Sequence, residues 1–154
     1  MQEALFAADT NPDIALITLV KDVDLDMEEL TVLGGSFTLD LNGYTLSTND
    51  TFLFYLDGND STPLNLVIDD SSLSKTGTIR ASDSVFIAHN QTNEINLTLA
   101  GGTLESESFL IDLTSSGNKT AATLTLAGGN LLTEQPATIN AGGASVTVIG
   151  NGVP

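Results

Sequence analysis

NLTLAGG (residues 96–102) and TLTLAGG (residues 123–129) are near-identical segments that begin 27 residues apart. Related segments occur at residues 38–43 (TLDLNG), 65–70 (NLVIDD) and 145–152 (SVTVIGNG). The first aliphatic residues of the five copies are separated by 27, 31, 27 and 22 residues; they are Leu39, Leu66, Leu97, Leu124 and Val146. A repeat of this length without helical periodicity predicts a β-solenoid, in which each repeat forms one coil.

Apolar and polar residues alternate within each copy, which is the pattern of a strand with one face in a core. The repeat extends back to Ile17 and Leu19, which have the same spacing. The pattern predicts two inward columns of aliphatic side chains. The first contains Ile17, Leu39, Leu66, Leu97, Leu124 and Val146, and the second contains Leu19, Leu41, Ile68, Leu99, Leu126 and Val148.

Two further strands are predicted in each coil. The second strands contain Leu46, Ile79, Leu104 and Leu131. A polar insertion of about six residues, at 71–76, precedes Ile79, and we expect this insertion to form a surface loop. The third strands are predicted at 30–32, 52–56, 85–89, 109–113 and 137–141. Three short strands per coil indicate an all-β parallel β-helix of about five to six coils. An antiparallel β-sandwich is the alternative, but it does not predict columns at fixed offsets.

The two ends of the predicted rod differ. Residues 2–8 (QEALFAA) favour a short helix, which would cover the first coil as a cap, and Asn11-Pro12-Asp13 ends it. No comparable cap is predicted after the last strand, so another molecule or a further part of a longer rod would cover that end. We therefore predict a single domain over residues 1–154, with the cap at 1–13, coils at 14–150 and a tail at 151–154.

The charge of the chain limits its partners. Twenty acidic residues against four basic ones give a formal net charge of −16, which argues against binding to nucleic acid or to anionic membranes. The longest apolar run, at residues 14–20, is too short to span a membrane. The first residues lack the basic start and apolar stretch of a secretory signal, and the chain has no cysteine.

Acidic residues are the main candidates for chemistry. Asp69 and Asp70 form an acidic pair near Arg80 in the sequence, but two adjacent carboxylates are weak evidence for hydrolysis of a glycosidic bond. Asp22, Asp24 and Asp26 alternate along a predicted strand without the glycine and glutamate of an EF-hand loop. The lone His89 is more typical of a structural residue. We therefore predict no catalytic residue, no metal site and no cofactor, although weak Ca²⁺ binding is compatible with the acidic residues.

Two surface features are predicted from the pattern. Five Asn-x-Ser/Thr sites are candidates for glycosylation: Asn49, Asn59, Asn90, Asn96 and Asn118. The outward positions of the third strands are predicted to form an apolar stripe, and its members are Leu53, Tyr55, Phe86, Ala88 and Leu110. A contiguous apolar stripe usually marks an interface. We therefore expect self-association, or packing on a neighbouring domain, through this face and through the open C-terminal end. The alternative is that the chain's own long turns, such as 57–63 or 114–122, fold over this face.

The opening residues QEALFAAD…IALITLVKDVDL, followed by FTLDLNGYTLS, resemble the start of right-handed parallel β-helix domains of the pectate-lyase-like superfamily. They are most similar to the β-helix domains of bacterial and archaeal adhesin-like cell-surface proteins. The resemblance implies a right-handed β-helix in an extracellular or cell-surface protein, acting as a non-catalytic structural or adhesive module. The alternative is a fragment of a carbohydrate-active β-helix enzyme, either a polysaccharide lyase or a glycoside hydrolase. Three motifs of the polygalacturonase-like enzymes, Asn-Thr-Asp, Gly-His-Gly and Arg-x-Lys, are missing from the chain.

Overall fold

A computed structural model describes residues 1–57, 63–89, 94–113, 121–134, 139–140 and 145–150. Over these residues one α-helix, α1 (Gln2–Thr10), precedes sixteen short strands that form three parallel sheets. Consecutive strands belong to different sheets, and each strand pairs with the strand one coil further along the chain. The molecule is thus an all-β parallel β-solenoid with three strands per coil and a short N-terminal helix, as the sequence predicted.

The first sheet has six strands and the other two have five each. The first sheet contains β1 (Leu16–Thr18), β4 (Gly35–Asp40), β7 (Leu64–Asp69), β10 (Ile95–Leu99), β13 (Ala121–Leu126) and β16 (Ser145–Gly150). The second sheet contains β2 (Val23–Asp24), β5 (Thr45–Thr48), β8 (Thr78–Ala81), β11 (Thr103–Ser106) and β14 (Asn130–Thr133). The third sheet contains β3 (Leu30–Val32), β6 (Phe52–Asp57), β9 (Ser84–His89), β12 (Ile111–Asp112) and β15 (Ile139–Asn140).

The predicted register of the second sheet is confirmed. Its inward column contains Val23, Leu46, Ile79, Leu104 and Leu131 in direct register. The insertion before β8 lies mostly on the surface, and Leu73 within it is fully exposed. The six extra residues leave the sheet undisturbed because they loop outward before the chain rejoins the stack.

The predicted register of the first sheet is wrong by two residues at two of its junctions. Leu39 pairs with Ile68, not with Leu66, and Leu124 pairs with Val148, not with Val146. A shift of two residues keeps the same side chains on the core face, so the inward positions were still predicted correctly. The alternation alone cannot distinguish these registers. In the observed one, β4 and β7 pair over their whole lengths and bring the buried Phe37 beside Leu66.

The predicted outward apolar stripe of the third sheet is also wrong. Leu53, Phe86, Ala88 and Leu110 are all buried in the core, and Tyr55 is half-buried beside Ile87. Phe86 pairs with Phe54, so β9 is aligned one residue away from the predicted register. A shift of one residue exchanges the two faces of a strand, which places Phe86 and Ala88 inside.

Leu53 and Leu110 lie near the starts of their third strands and are also buried. The third strands β6 and β9 contact strands of the second sheet as well as each other. The third sheet therefore does not carry the exposed apolar surface on which the predicted lateral interface depended.

The helix α1 covers the N-terminal end of the core, as predicted. Leu5 and Ala8 are buried against the first coil. The side-chain amide of Gln2 donates to the carbonyl oxygen of Thr31 at 2.9 Å and accepts from the Thr31 N–H at 2.8 Å. Gln2 thus satisfies backbone groups at the exposed edge of β3, where the sheet would otherwise have unpaired hydrogen-bonding groups.

We expect the replacement of Leu99 by alanine to destabilise the fold by about 2–5 kcal/mol, because it leaves a cavity in the aliphatic stack. Leu99 is 1 % exposed and lies between Ile68 and Leu126 on the neighbouring strands. Thr98→Ala is the matched control, since Thr98 is the next residue on the outer face, and it should cost well under about 1 kcal/mol. Urea unfolding of both variants measures the difference, and equal losses would contradict the observed orientation of β10.

Candidate functional site

The acidic pair of the sequence lies at the turn that links the first and second sheets. The side chain of Asp70, immediately after β7, is completely buried. Its Oδ1 accepts hydrogen bonds from the N–H of Gly43 at 2.8 Å and of Ser72 at 3.1 Å, and its Oδ2 accepts one from the N–H of Gly77 at 2.7 Å. Asp70 therefore ties together the turn of the preceding coil and both ends of the inserted loop.

Two glycines allow the backbone to take the positions from which it donates to this carboxylate. Gly43 has a φ of 83°, a backbone conformation that disfavours residues with a Cβ atom. A Cβ atom on Gly77 would lie 2.6 Å from the Cβ of Leu41 and 2.9 Å from the carboxylate of Asp70. The backbone of Gly77 can approach Asp70 closely enough to donate its hydrogen bond because this space is empty.

Asp40 also holds the start of the inserted loop. Its Oδ1 accepts from the N–H groups of Asn42 and Ser71, both at 2.9 Å, and its Oδ2 accepts from the Ser71 hydroxyl at 2.7 Å. Asp69 makes a shorter-range contact, in which its Oδ1 accepts from the N–H of Asp70 at 2.8 Å. The three aspartates are thus used to hold turns.

Hydrogen bonding also sets the acidity of two of these carboxyl groups. Burial raises the pKa of Asp70, but the hydrogen bonds from Ser72, Gly77 and Gly43 outweigh it, so the pKa lies below its ordinary value. Burial likewise raises the pKa of Asp40, as does the charge of Asp70 to a smaller extent, and the hydrogen bonds from Ser71 and Asn42 bring it below the ordinary value. Both groups are held as carboxylates. A general acid in glycoside hydrolysis needs the opposite shift.

A separate open groove of about 540 Å³ runs over the outer face of the second sheet. The sequence did not predict it. Its described lining contains Ser47, Thr48, Asn49, Arg80, Ala81, Ser82, Glu105, Ser106, Glu107, Leu131, Leu132, Thr133 and Glu134. Four of these residues, which we call the groove column, occupy matched outward positions on neighbouring strands; they are Ser47, Arg80, Glu105 and Leu132.

The groove column could have been found from the sequence. Each of its members directly follows an inward aliphatic residue of the second strand, namely Leu46, Ile79, Leu104 or Leu131. The predicted strands thus already placed Arg80 and Glu105 in one column.

An ion pair occupies the middle of the groove column. Nε and Nη2 of Arg80 donate to the same oxygen of Glu105, Oε2, at 3.0 and 2.9 Å. The side chains of Arg80 and Glu105 are 59 % and 36 % exposed, so water screens the pair and its contribution to stability is small. Arg80 is thus paired on the second sheet, whereas Asp40 and Asp70 bond to N–H and hydroxyl groups of the turn.

Asp22, Asp24 and His89 are not among the residues described for the turn or for the groove lining. Asp22 accepts a hydrogen bond from the N–H of Thr45 in the next coil, and Asp24 accepts one from the N–H of Asp26 in its own turn. Among the residues that the structure describes, no group of three or more His, Asp or Glu side chains is placed to hold a metal ion. His89 ends β9. That the protein has no cofactor stays a prediction, and so does weak Ca²⁺ binding.

Two of the five glycosylation candidates can be located. Asn49 is exposed after β5 at the rim of the groove, and Asn96 is half-buried on β10, where its amide donates to Oδ1 of Asn65 at 3.0 Å. The other three, Asn59, Asn90 and Asn118, lie outside the described residues.

Comparison of the chain with known protein families, curated proteins and solved structures gives no significant match. The fold class that the structure defines is the parallel β-solenoid. No helix in the described part of the chain is long and apolar enough to cross a membrane.

Proposed function

We propose that this chain is a non-catalytic structural or adhesive β-helical module of an extracellular surface protein or surface assembly. The observation that carries the proposal is the use of the acidic pair. Asp70 is completely buried and accepts three backbone hydrogen bonds, and Asp69 accepts one from the adjacent residue. These carboxylates have a structural task in the turn, which speaks against their use on a substrate.

The outer surface of the first sheet fits the same proposal. Its outward positions are mostly short and uncharged side chains, and some of them hydrogen-bond from coil to coil. Asn96 donates to Asn65, and Asn65 donates to Oγ of Ser36 at 2.9 Å. Such contacts link successive coils along the rod, as a structural or display module requires.

The proposal includes self-association through the C-terminal end of the solenoid. Val148 and Ile149 of β16 are 54 % and 49 % exposed, although Val148 stands in register with the buried Leu124. A second copy or a neighbouring domain that covers this strand would bury its apolar side chains and pair the edge that no described strand covers. The extracellular location is proposed on the resemblance to adhesin-like proteins and on the exposed glycosylation candidate Asn49.

The runner-up is a fragment of a carbohydrate-active β-helix enzyme. The groove over the second sheet favours it, because Arg80 lies there beside Glu105 and near Glu107 and Glu134. The ion pair weakens this alternative. A lyase needs a cationic group to stabilise the negative charge that develops on the sugar acid, and the charge of Arg80 is already offset by Glu105.

We expect no depolymerisation of polygalacturonate or related acidic glycans by this protein in the presence of Ca²⁺. Neither ultraviolet absorbance of unsaturated sugars nor new reducing ends should appear, while a known pectate lyase serves as the positive control. Product formation that disappears in Arg80→Ala would overturn the proposal and establish the enzymatic alternative.

A further inference from the structure

We propose that the groove over the second sheet binds a neutral glycan, and that the Arg80–Glu105 pair recognises two adjacent hydroxyl groups of a sugar ring. This inference rests on the proposed function and deepens it, because it gives an adhesive module a ligand class and a binding site. It starts from the hydrogen-bonding capacity that the ion pair leaves unused.

Both hydrogen bonds between the two side chains use one carboxylate oxygen. Oε2 of Glu105 accepts from Nε and Nη2 of Arg80, and no described donor reaches its Oε1. The Nη1 group of Arg80 likewise has no described acceptor. Guanidinium offers five N–H donors in a fixed plane and carboxylate offers only acceptors. The groove therefore holds unused acceptor and donor groups on the two members of one ion pair, and both side chains are accessible.

A vicinal diol matches this arrangement. One hydroxyl can donate to Oε1 of Glu105 while the adjacent hydroxyl accepts from the guanidinium of Arg80. Both bonds involve a charged partner and are stronger than bonds between neutral groups. The side chains remain paired with each other meanwhile, so neither charge has to be separated from its partner when the sugar binds.

The other two members of the groove column, Leu132 and Ser47, offer further contacts to a sugar. Leu132 is 53 % exposed and is the register partner of Glu105, so it offers an apolar surface for the C–H face of a sugar ring. On the other side, Ser47 is the register partner of Arg80 and adds a hydroxyl. With strands about 4.8 Å apart, the four members span about 14 Å along the rod, which is room for a short oligosaccharide.

Charge selects a neutral glycan over an acidic one. The described lining contains three glutamates, Glu105, Glu107 and Glu134, against the single Arg80. The whole chain carries a formal net charge of −16, so its field repels polyanions. An uncharged polyol meets no such repulsion and needs only the local hydrogen bonds.

Affinity electrophoresis in native gels tests the proposal with three soluble polymers. Mannan offers neutral cis diols, dextran offers neutral trans diols, and polygalacturonate is the acidic comparison. We expect at least one neutral polymer to retard the protein more strongly than polygalacturonate does. Arg80→Gln should weaken that retardation by about tenfold or more, because it removes a charged hydrogen-bond donor. Lys21→Gln removes the same charge from an exposed residue outside the described lining and should leave the retardation unchanged.

The possible failures are distinguishable. Absence of retardation by both neutral polymers, or equal retardation of Arg80→Gln and the wild type, overturns the groove as a glycan site. Stronger retardation by polygalacturonate overturns the choice of a neutral ligand. New reducing ends in polymer recovered after incubation would instead overturn the non-catalytic function and leave the binding site standing. Circular dichroism confirms that both variants are folded, as expected for exposed positions.

Discussion

Replacing Phe86 with alanine should destabilise the protein by about 3–5 kcal/mol, the cost of emptying a large buried aromatic site. Phe86 is 1 % exposed, and its ring stacks on that of Phe54 in the adjacent coil with centroids 5.0 Å apart and an interplanar angle of 13°. The variant loses this aromatic contact together with the apolar area that Phe86 buries. Thermal and urea unfolding measure the loss.

Ile87→Ala is the matched control for Phe86. Ile87 is the next residue on β9, it is half-buried, and it is the register partner of Tyr55. Its truncation should cost about 1 kcal/mol, as for typical substitutions outside the core. A greater loss for Ile87→Ala than for Phe86→Ala would show that Phe86 lies on the outer face, which would restore the apolar stripe that the sequence suggested.

Replacing Asp70 with asparagine should destabilise the protein by about 3–5 kcal/mol at neutral pH, because it breaks a buried charged hydrogen-bond network. Asparagine has one acceptor oxygen where Asp70 uses two, and its NH₂ group would face a backbone N–H of Gly43 or Gly77. At least one buried donor is then left unsatisfied. Asp69→Asn is the control, because the side-chain hydrogen bond described for Asp69 needs one acceptor oxygen, which asparagine retains.

The same variant has a pH signature. The pKa of Asp70 in the folded protein is below its ordinary value of 3.8, so its carboxylate stabilises the fold at pH values above that level. This stabilisation is lost as the pH falls through the folded-state pKa. The free energy of unfolding of the wild type should therefore decrease below about pH 4, and the gap to Asp70→Asn should narrow there. A gap that stays constant from pH 7 into this acidic range would contradict the role of the ionised carboxylate.

The parts of the fold that were predicted correctly depend on local pattern. Alternation at Leu97 and Leu99 identified a strand with one buried face, and the offsets to Leu104 and Leu131 identified the second sheet. The helix at the N-terminus followed from seven residues without glycine or proline. Each of these inferences uses residues that are close together in the chain, where side-chain periodicity alone decides the outcome.

The candidate sites were less predictable because they combine distant segments. The sequence showed Asp69 and Asp70 as an acidic pair, but it could not show that Gly43, 27 residues earlier, and Gly77 donate to the second of them. Arg80 and Glu105 are 25 residues apart; the predicted second strands placed them in one column, and the pairing of β8 with β11 brings their side chains into contact. Contacts across coils define both the turn and the groove.

The pattern of the sequence was enough to predict coils of three parallel strands with an aliphatic interior and a helical cap. The register depends on contacts between coils, and it differs from the predicted one by two residues at Leu39 and by one at Phe86. Alternation repeats every two residues, so it is blind to a shift of two and reverses with a shift of one. Contacts between coils select the register. The ring of Phe54 stacks on that of Phe86, Phe37 lies beside Leu66, and the N–H groups of neighbouring turns donate to Asp70.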